Sequence, residues 1–415
     1  MLLNVIIVFF YIYCVQFKGI PISSSKWIFI LLGGYSLIFK RAQLDFFLKT
    51  SFVRISLIIF SFLLFFSIAV PLIMGTNDFH LSYSVFLFIL EDFFGCFFLF
   101  LFLDRDGELS VERFFNIYAN VAFVQSVIII LMLFSNSART FFWGIQEADF
   151  SAISERYAGI RGMGLAASVT YDLGVILSLA LIFLVYNITQ HSKNIKLDLI
   201  KYTIILMAVA ISGRTGLIGF ALSLLIILPN IIRKNNVFTL LKFSFIFATF
   251  FCCVVIAYLE LIPLDIRKNI DAYVFESILN YQQTGSFRSS TGDNLKQMYF
   301  AIPWDTFFFG DGKYMENGFY YMKTDVGYMR NILFWGVFPS FLLYSLYGYW
   351  THRSYLSGKK NFQWSFRFLS LLIFVYYLIV NGKGDFLLGC RMATKLFILV
   401  MYTSTFGKFE NEYRT

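Results

Sequence analysis

Apolar runs of roughly twenty residues follow one another along the whole chain, each closed by a polar turn, and that is the length a helix needs to cross a hydrocarbon layer. The runs are continuous and do not alternate apolar with polar, which excludes a transmembrane β-barrel. Hydropathy predicts an all-α polytopic integral membrane protein with about twelve transmembrane helices. They centre on residues 2–16, 26–39, 53–74, 82–103, 114–134, 165–186, 199–211, 216–232, 239–259, 327–350, 366–380 and 386–403. Two longer polar stretches interrupt the series: a medium loop over 135–164 and a large loop over 260–326. The remainder reads as a single transmembrane domain over 1–415, with no internal repeat or low-complexity linker. In the large loop Ile266, Ile270, Val274 and Ile278 recur every four residues, a spacing that predicts a short surface helix.

Composition agrees with this pattern. The chain is 58% hydrophobic and only 14% charged, where a soluble domain carries about a quarter, and its mean hydropathy is +0.70. The net charge of +9 is spread over many short loops, so it reads as a topology signal and not as a nucleic-acid surface. Lys40, Arg41, Lys49, Arg105, Lys193, Lys196, Arg233, Lys234, Arg353, Lys359 and Lys360 fall in loops of one parity, and the turn Gly75–His80 of the other parity has no Lys or Arg. The positive-inside rule then puts both termini in the cytoplasm and both long loops outside. The start Met1-Leu-Leu-Asn-Val-Ile-Ile lacks basic residues, so a retained first span is expected and not a cleaved leader. The five cysteines lie inside apolar runs without metal-ligand spacing and read as small buried side chains.

Chemistry concentrates on the outer side. Arg156 and Arg161 stand in Glu155-Arg-Tyr-Ala-Gly-Ile-Arg-Gly-Met-Gly, Arg214 in Ser212-Gly-Arg-Thr-Gly, and Arg288 in Gly285-Ser-Phe-Arg-Ser-Ser. Arginine matches phosphate oxygens with a planar fork, and glycine lets backbone amides come close. Any one of these arginines can equally meet a lipid headgroup or a loop carboxylate; as a set they point to an anion site. Gly310-Asp311-Gly312-Lys313 has the composition of a backbone nest for an anion. Asp325, just before the run 327–350, can cap that helix or accept a proton from an acceptor hydroxyl. Tyr281, Tyr299, Trp304, Tyr314 and Tyr320 in the large loop suit sugar rings and a membrane interface equally.

Charges also occur inside the runs: Glu91, Asp92, Asp172, and Arg391 with Lys395 at i, i+4. Such groups point inward and pair or line a cavity, so Arg391 is expected to face Asp172 or the Glu91–Asp92 pair. Asp104-Arg-Asp is the only candidate nucleotide-sugar motif, and it lies on a short inner loop without an α/β domain. Walker, G-x-S-x-G and H-E-x-x-H patterns do not occur, and the three histidines are scattered, so no metal site is expected.

Many short runs, a medium loop before the sixth and a large loop in the C-terminal third carry the motifs Arg161-Gly-Met-Gly, Ser212-Gly-Arg-Thr-Gly, Arg288, Gly310-Asp-Gly and Asp325-Val-Gly-Tyr with Gly336. Together they resemble the O-antigen polymerase family, related to the O-antigen ligases. Where many members have Pro-Asn after the arginine, this chain has Leu165-Ala-Ala-Ser. The resemblance implies a GT-C-like membrane fold in a bacterial inner membrane. It implies metal-independent glycosyl transfer at the periplasmic face. The donor and the acceptor are both undecaprenyl-diphosphate-linked oligosaccharides, and no cofactor is used. A chain-length regulator and a flippase are the partners it implies, beside membrane lipids. Arginines would then stabilise the departing diphosphate, with Arg288 and Asp325 at the reacting centre. Two alternatives remain: a ligase with lipid A–core as acceptor, and a flippase for the lipid-linked oligosaccharide.

Overall fold

The computed structural model describes residues 1–147, 164–167, 171–190, 194–227, 264, 267–268, 271, 276–360 and 364–409. The first half holds α1 (Leu2–Tyr13), α2 (Ser24–Phe39), α3 (Arg41–Lys49), α4 (Ser51–Ile73), α5 (His80–Leu103), α6 (Val111–Phe134) and α7 (Asn136–Gly144). Then come α8 (Tyr171–Gln190), α9 (Ile195–Ser212) and α10 (Gly216–Leu225). The large loop carries α11 (Glu276–Thr284), α12 (Ser290–Gln297), α13 (Trp304–Phe309) and a two-stranded hairpin, β1 (Met315–Glu316) with β2 (Phe319–Tyr320). The chain ends in α14 (Gly327–Trp335), α15 (Val337–Lys360), α16 (Trp364–Asn381) and α17 (Arg391–Phe406).

Five of the described helices are long and apolar enough to cross a membrane: α4, α5, α6, α8 from Asp172, and α16. This is an all-α, membrane-embedded protein. Several runs take shapes that hydropathy does not register. α1, α2 and α10 are apolar but shorter. The run 327–350 is two helices, because Gly336 takes a φ of 79° between α14 and α15, a left-handed conformation that favours glycine. The last run becomes helical only at Arg391, since 382–390 is a loop. The run 239–259, most of the medium loop and most of the expected surface helix over 266–278 lie outside the described residues.

The bundle is organised around α8 and α17. The apolar window of α8 is 89% buried, against 33% for α4, so α8 is a hub and α4 a perimeter helix. Every residue of α17 from Met392 to Ser404 is buried, as expected of a helix enclosed on all sides. α8 and α10 cross at backbone contact: a Cβ on Gly216 would lie 2.5 Å from the Gly174 carbonyl oxygen. Small residues permit such crossings, and this one fixes the turn that carries Arg214.

Loops gather at two ends. At one, Lys40 Nζ donates to the Arg105 carbonyl over 3.2 Å and the Val111 amide to Lys408 over 3.0 Å. At the other, Thr76 Oγ1 donates to the Gly312 carbonyl, the Ala167 amide to Tyr13 and Tyr299 OH to Gly382. The second end is therefore shared by the turn after α4, the segment before α8, the large loop and the loop before α17.

Candidate functional site

A cavity of about 600 Å³ opens at that second end. Its wall draws on the α1–α2 connection through Cys14, on α2 through Ser25, on α5 through His80, Ser84 and Glu91, and on α8 through Asp172. The hairpin adds Tyr314 and Tyr320, α14 adds Arg330, and the start of α17 adds Arg391, with Asp385 between. Ligand cavities run from about 300 to 1,000 Å³, so the space suits a group larger than one sugar ring.

One end of the wall is a closed set of charges. Glu91 and Asp92 sit on a π turn of α5, Phe88–Phe94, an irregularity frequent at functional sites. Spacing of i, i+4 puts Arg391 and Lys395 on one face of α17. Arg391 Nη2 lies 2.9 Å from Glu91 Oε2 and 2.8 Å from Asp92 Oδ1. Lys395 Nζ lies 2.8 Å from Glu91 Oε1, 3.7 Å from Asp92 Oδ1 and 3.1 Å from Cys14 Sγ. The Lys395 side chain is fully buried, while that of Arg391 is 25% exposed, and Arg391 reaches the cavity together with Glu91. Asp172 instead accepts from the Ala393 amide over 3.2 Å and caps α17 from a neighbouring helix. The pairing expected for Arg391 is thus with Glu91 and Asp92.

The other end is aromatic. Arg330 is buried, and its guanidinium carbon stands 3.6 Å from the Tyr320 ring centre and 4.3 Å from that of Tyr314, within cation–π range. Tyr314 OH donates to Asp385 Oδ2 over 3.3 Å. Burial pushes the Asp385 carboxyl up; the Arg330 charge and the amides of Gly389 and Leu388 oppose this without reversing it. The hairpin is held by Asp78, which accepts from the amides of Tyr314 at 2.7 Å and Met315 at 2.9 Å. Burial alone would raise Asp78, but these amides and His80 outweigh it and hold the carboxyl below the usual range.

The residues expected from sequence fall in different places. Arg156 and Arg161 lie outside the described residues. Arg214 pairs with Glu276, Nη1 to Oε2 at 2.5 Å, and Glu276 Oε1 accepts the Ser290 amide at 2.7 Å. Glu276 thus brings the turn of Arg214 and the loop of Arg288 together. The Arg288 side chain is exposed and does not line the cavity. Lys383 donates to Thr215 beside Arg214, so the loop carrying Asp385 touches that turn as well. Asp325 is half-buried, and α14 has no side-chain cap, so the capping role is not the one it plays. Burial raises the Asp325 carboxyl against the opposing charge of Arg330.

The Gly310-Asp311-Gly312 turn requires a correction. Its Asp311 and Gly312 amides donate to the Leu333 and Phe334 carbonyls over 2.7 and 2.9 Å, and Asp311 accepts from Thr306 and Tyr321. A Cβ on Gly310 would lie 2.4 Å from the Phe334 carbonyl oxygen. These amides are spent on α14, so the turn is a clamp and not an anion nest. Lys313 is half-buried, with Nζ 3.6 Å from Glu316 Oε1, and stays outside the cavity wall.

Sequence reading missed Arg330, Asp385, Asp78 and Glu276. The signal for Arg330 was present as a lone cation within an apolar run, which by itself marks an inward-facing group. Among the described residues no group of three His, Cys, Asp or Glu side chains is placed to hold a metal ion. No family model, no curated protein and no solved structure matches the chain.

Proposed function

We propose that this chain is an integral-membrane glycosyltransferase of the O-antigen polymerase kind. It joins undecaprenyl-diphosphate-linked oligosaccharides into longer chains at the periplasmic face of a bacterial inner membrane. The observation that carries the reading is the cavity of about 600 Å³ with Arg330 and Arg391 on its wall. It opens at the end where the large loop gathers, and a loop of that length weighs little in the positive-inside rule. Both termini in the cytoplasm, about twelve crossings and a GT-C-like architecture belong to the same proposal.

In this mechanism the acceptor hydroxyl attacks the anomeric carbon of the donor sugar. The new C–O bond forms as the bond to the diphosphate breaks, and the diphosphate departs with the bonding pair. Arg330 supplies charge-assisted hydrogen bonds that strengthen as that charge develops. Asp385, which lines the cavity beside Arg330 with its carboxyl raised by burial, takes the hydroxyl proton once ionised, because Asp325 stands off the cavity wall. Tyr320 and Tyr314 hold the guanidinium in place.

A second reading, a flippase for the same lipid-linked glycan, is favoured by one observation: the closed Glu91–Asp92–Arg391–Lys395 set, the kind of intramembrane cluster that pumps and transporters use. Deletion of the gene followed by a lipopolysaccharide gel separates the readings. A core bearing one repeat unit supports the polymerase. A core bearing none points to a flippase or a ligase and overturns it.

A further inference from the structure

The clamp formed by Gly310, Asp311 and Gly312 holds something specific in place. Immediately before it, α13 turns Trp304, Phe308 and Phe309 outward, at 76, 52 and 66% exposure. Trp304 and Phe308 stack across one turn with ring centres 6.0 Å apart. Only Thr306 of this helix is buried, and it donates to Asp311 over 2.8 Å. The helix is thus tethered from its inner side by the clamp, with its aromatic side unpartnered.

The surroundings identify what covers that side. α15 begins beside the clamp and exposes Phe338 and Phe341, and Phe338 packs edge-on against Phe66 of α4 with ring centres 5.8 Å apart. A Cβ on Gly312 would lie 2.9 Å from the Pro71 backbone, which puts the clamp level with the last turn of α4. α4 has 23 residues and rises about 35 Å, enough to cross the hydrocarbon layer, so its last turn marks the layer's boundary. The exposed aromatics of α13 therefore continue the lipid-facing surfaces of α4 and α15 at the depth where tryptophan and tyrosine belts form. Asp305 is also exposed on α13, as suits a helix lying in the interface and not in hydrocarbon.

We propose that α13 is an interfacial wedge: Trp304, Phe308 and Phe309 insert among the lipids of the leaflet adjoining the large loop, and the Gly310–Gly312 clamp fixes their depth. The hairpin that follows lines the cavity through Tyr314 and Tyr320, so the wedge ties the cavity wall to the bilayer surface. This does not depend on the reaction catalysed.

The test uses the full chain reconstituted in bilayers of phosphatidylcholine brominated high on the acyl chains, with iodide as the aqueous quencher. The chain has six tryptophans, so the Trp304 share is the difference between wild type and Trp304→Phe. That share should be blue-shifted, quenched by the brominated lipid and spared by iodide. Phe308→Asp should shift it to the red and open it to iodide. Quenching of the wild-type share by iodide and not by brominated lipid overturns the proposal. Protection from both quenchers overturns it too, because protein, such as a second copy, would then cover the patch. If Phe308→Asp fails to fold, the wild-type comparison still decides.

Discussion

Arg391 and Arg330 stand on the wall of one cavity and are accommodated by opposite means. Arg391 lies against two carboxylates, at 2.8 and 2.9 Å, with a second cation, Lys395, completing the set. Two acids and two bases cancel, and such a set holds together helices that have no hydrophobic drive between them in lipid. Arg330 lies on the faces of Tyr314 and Tyr320. Aromatic faces attract a cation without bringing an opposite charge of their own. On the proposed function, the difference separates a set that holds the fold from the place where an anionic ligand would bind. An oxyanion approaching Arg391 must compete with two carboxylates in direct contact, whereas at Arg330 the faces of the guanidinium are taken by aromatic rings.

The sharpest way to break this contrast is at the paired end. Lys395→Met leaves Glu91 and Asp92 one cation short in a fully buried place. Removing one partner of a buried pair costs roughly 3–5 kcal/mol, so thermal unfolding in detergent should show a large loss. Glu91→Gln with Lys395→Met should recover part of it. Unchanged unfolding in Lys395→Met would remove the structural role from the set.

Arg330→Ala should act the other way, on rate. Losing one donor to a developing oxyanion costs roughly 3–4 kcal/mol of transition-state stabilisation, about a hundred- to thousandfold. Arg330→Lys keeps the charge but not the planar fork, so it should rescue in part. The readout is elongation rate at equal expression, with unfolding measured alongside. A loss of folding equal to the loss of rate would place Arg330 with Arg391.

Asp78 sharpens the comparison by testing what holds the aromatic end. Asp78→Asn weakens charge-assisted bonds to the Tyr314 and Met315 amides, each worth about 1.5–3 kcal/mol. The carboxyl is held below its ordinary range, so its contribution is present above the unfolded pKa and lost as pH falls through the lowered one. The gap in unfolding temperature between wild type and Asp78→Asn should therefore close in acid. A gap that widens in acid would contradict the assignment. The smallest effect should come from Arg288→Ala, whose side chain is exposed and off the cavity wall, and elongation should stay near wild type.

Much of the paired end was legible in the sequence, and little of the aromatic end. Four charges inside apolar runs, two of them at i, i+4, must turn inward and find one another, and hydropathy with helical spacing is enough to say so. Arg330 escaped because it sits in a run read as one uniform span, and the break at Gly336 that sets α14 apart depends on a backbone angle that composition does not encode. Gly310-Asp311-Gly312 misled for a related reason. Its residue types permit a nest or a clamp, and the choice rests on where two amides point, which the fold decides by placing the Leu333 and Phe334 carbonyls opposite them. Glu276 and Asp78 act on partners far along the chain, and a single sequence does not show such pairs.

The measurement closest to the central claim is elongation by the purified protein in proteoliposomes supplied with undecaprenyl-diphosphate-linked repeat units. The products are resolved as a ladder, with wild type, Arg330→Ala and Arg288→Ala at equal folded amounts. Wild type and Arg288→Ala should each build a ladder, and Arg330→Ala should leave single repeats. A ladder from Arg330→Ala equal to that of wild type, or none from wild type, would contradict the account.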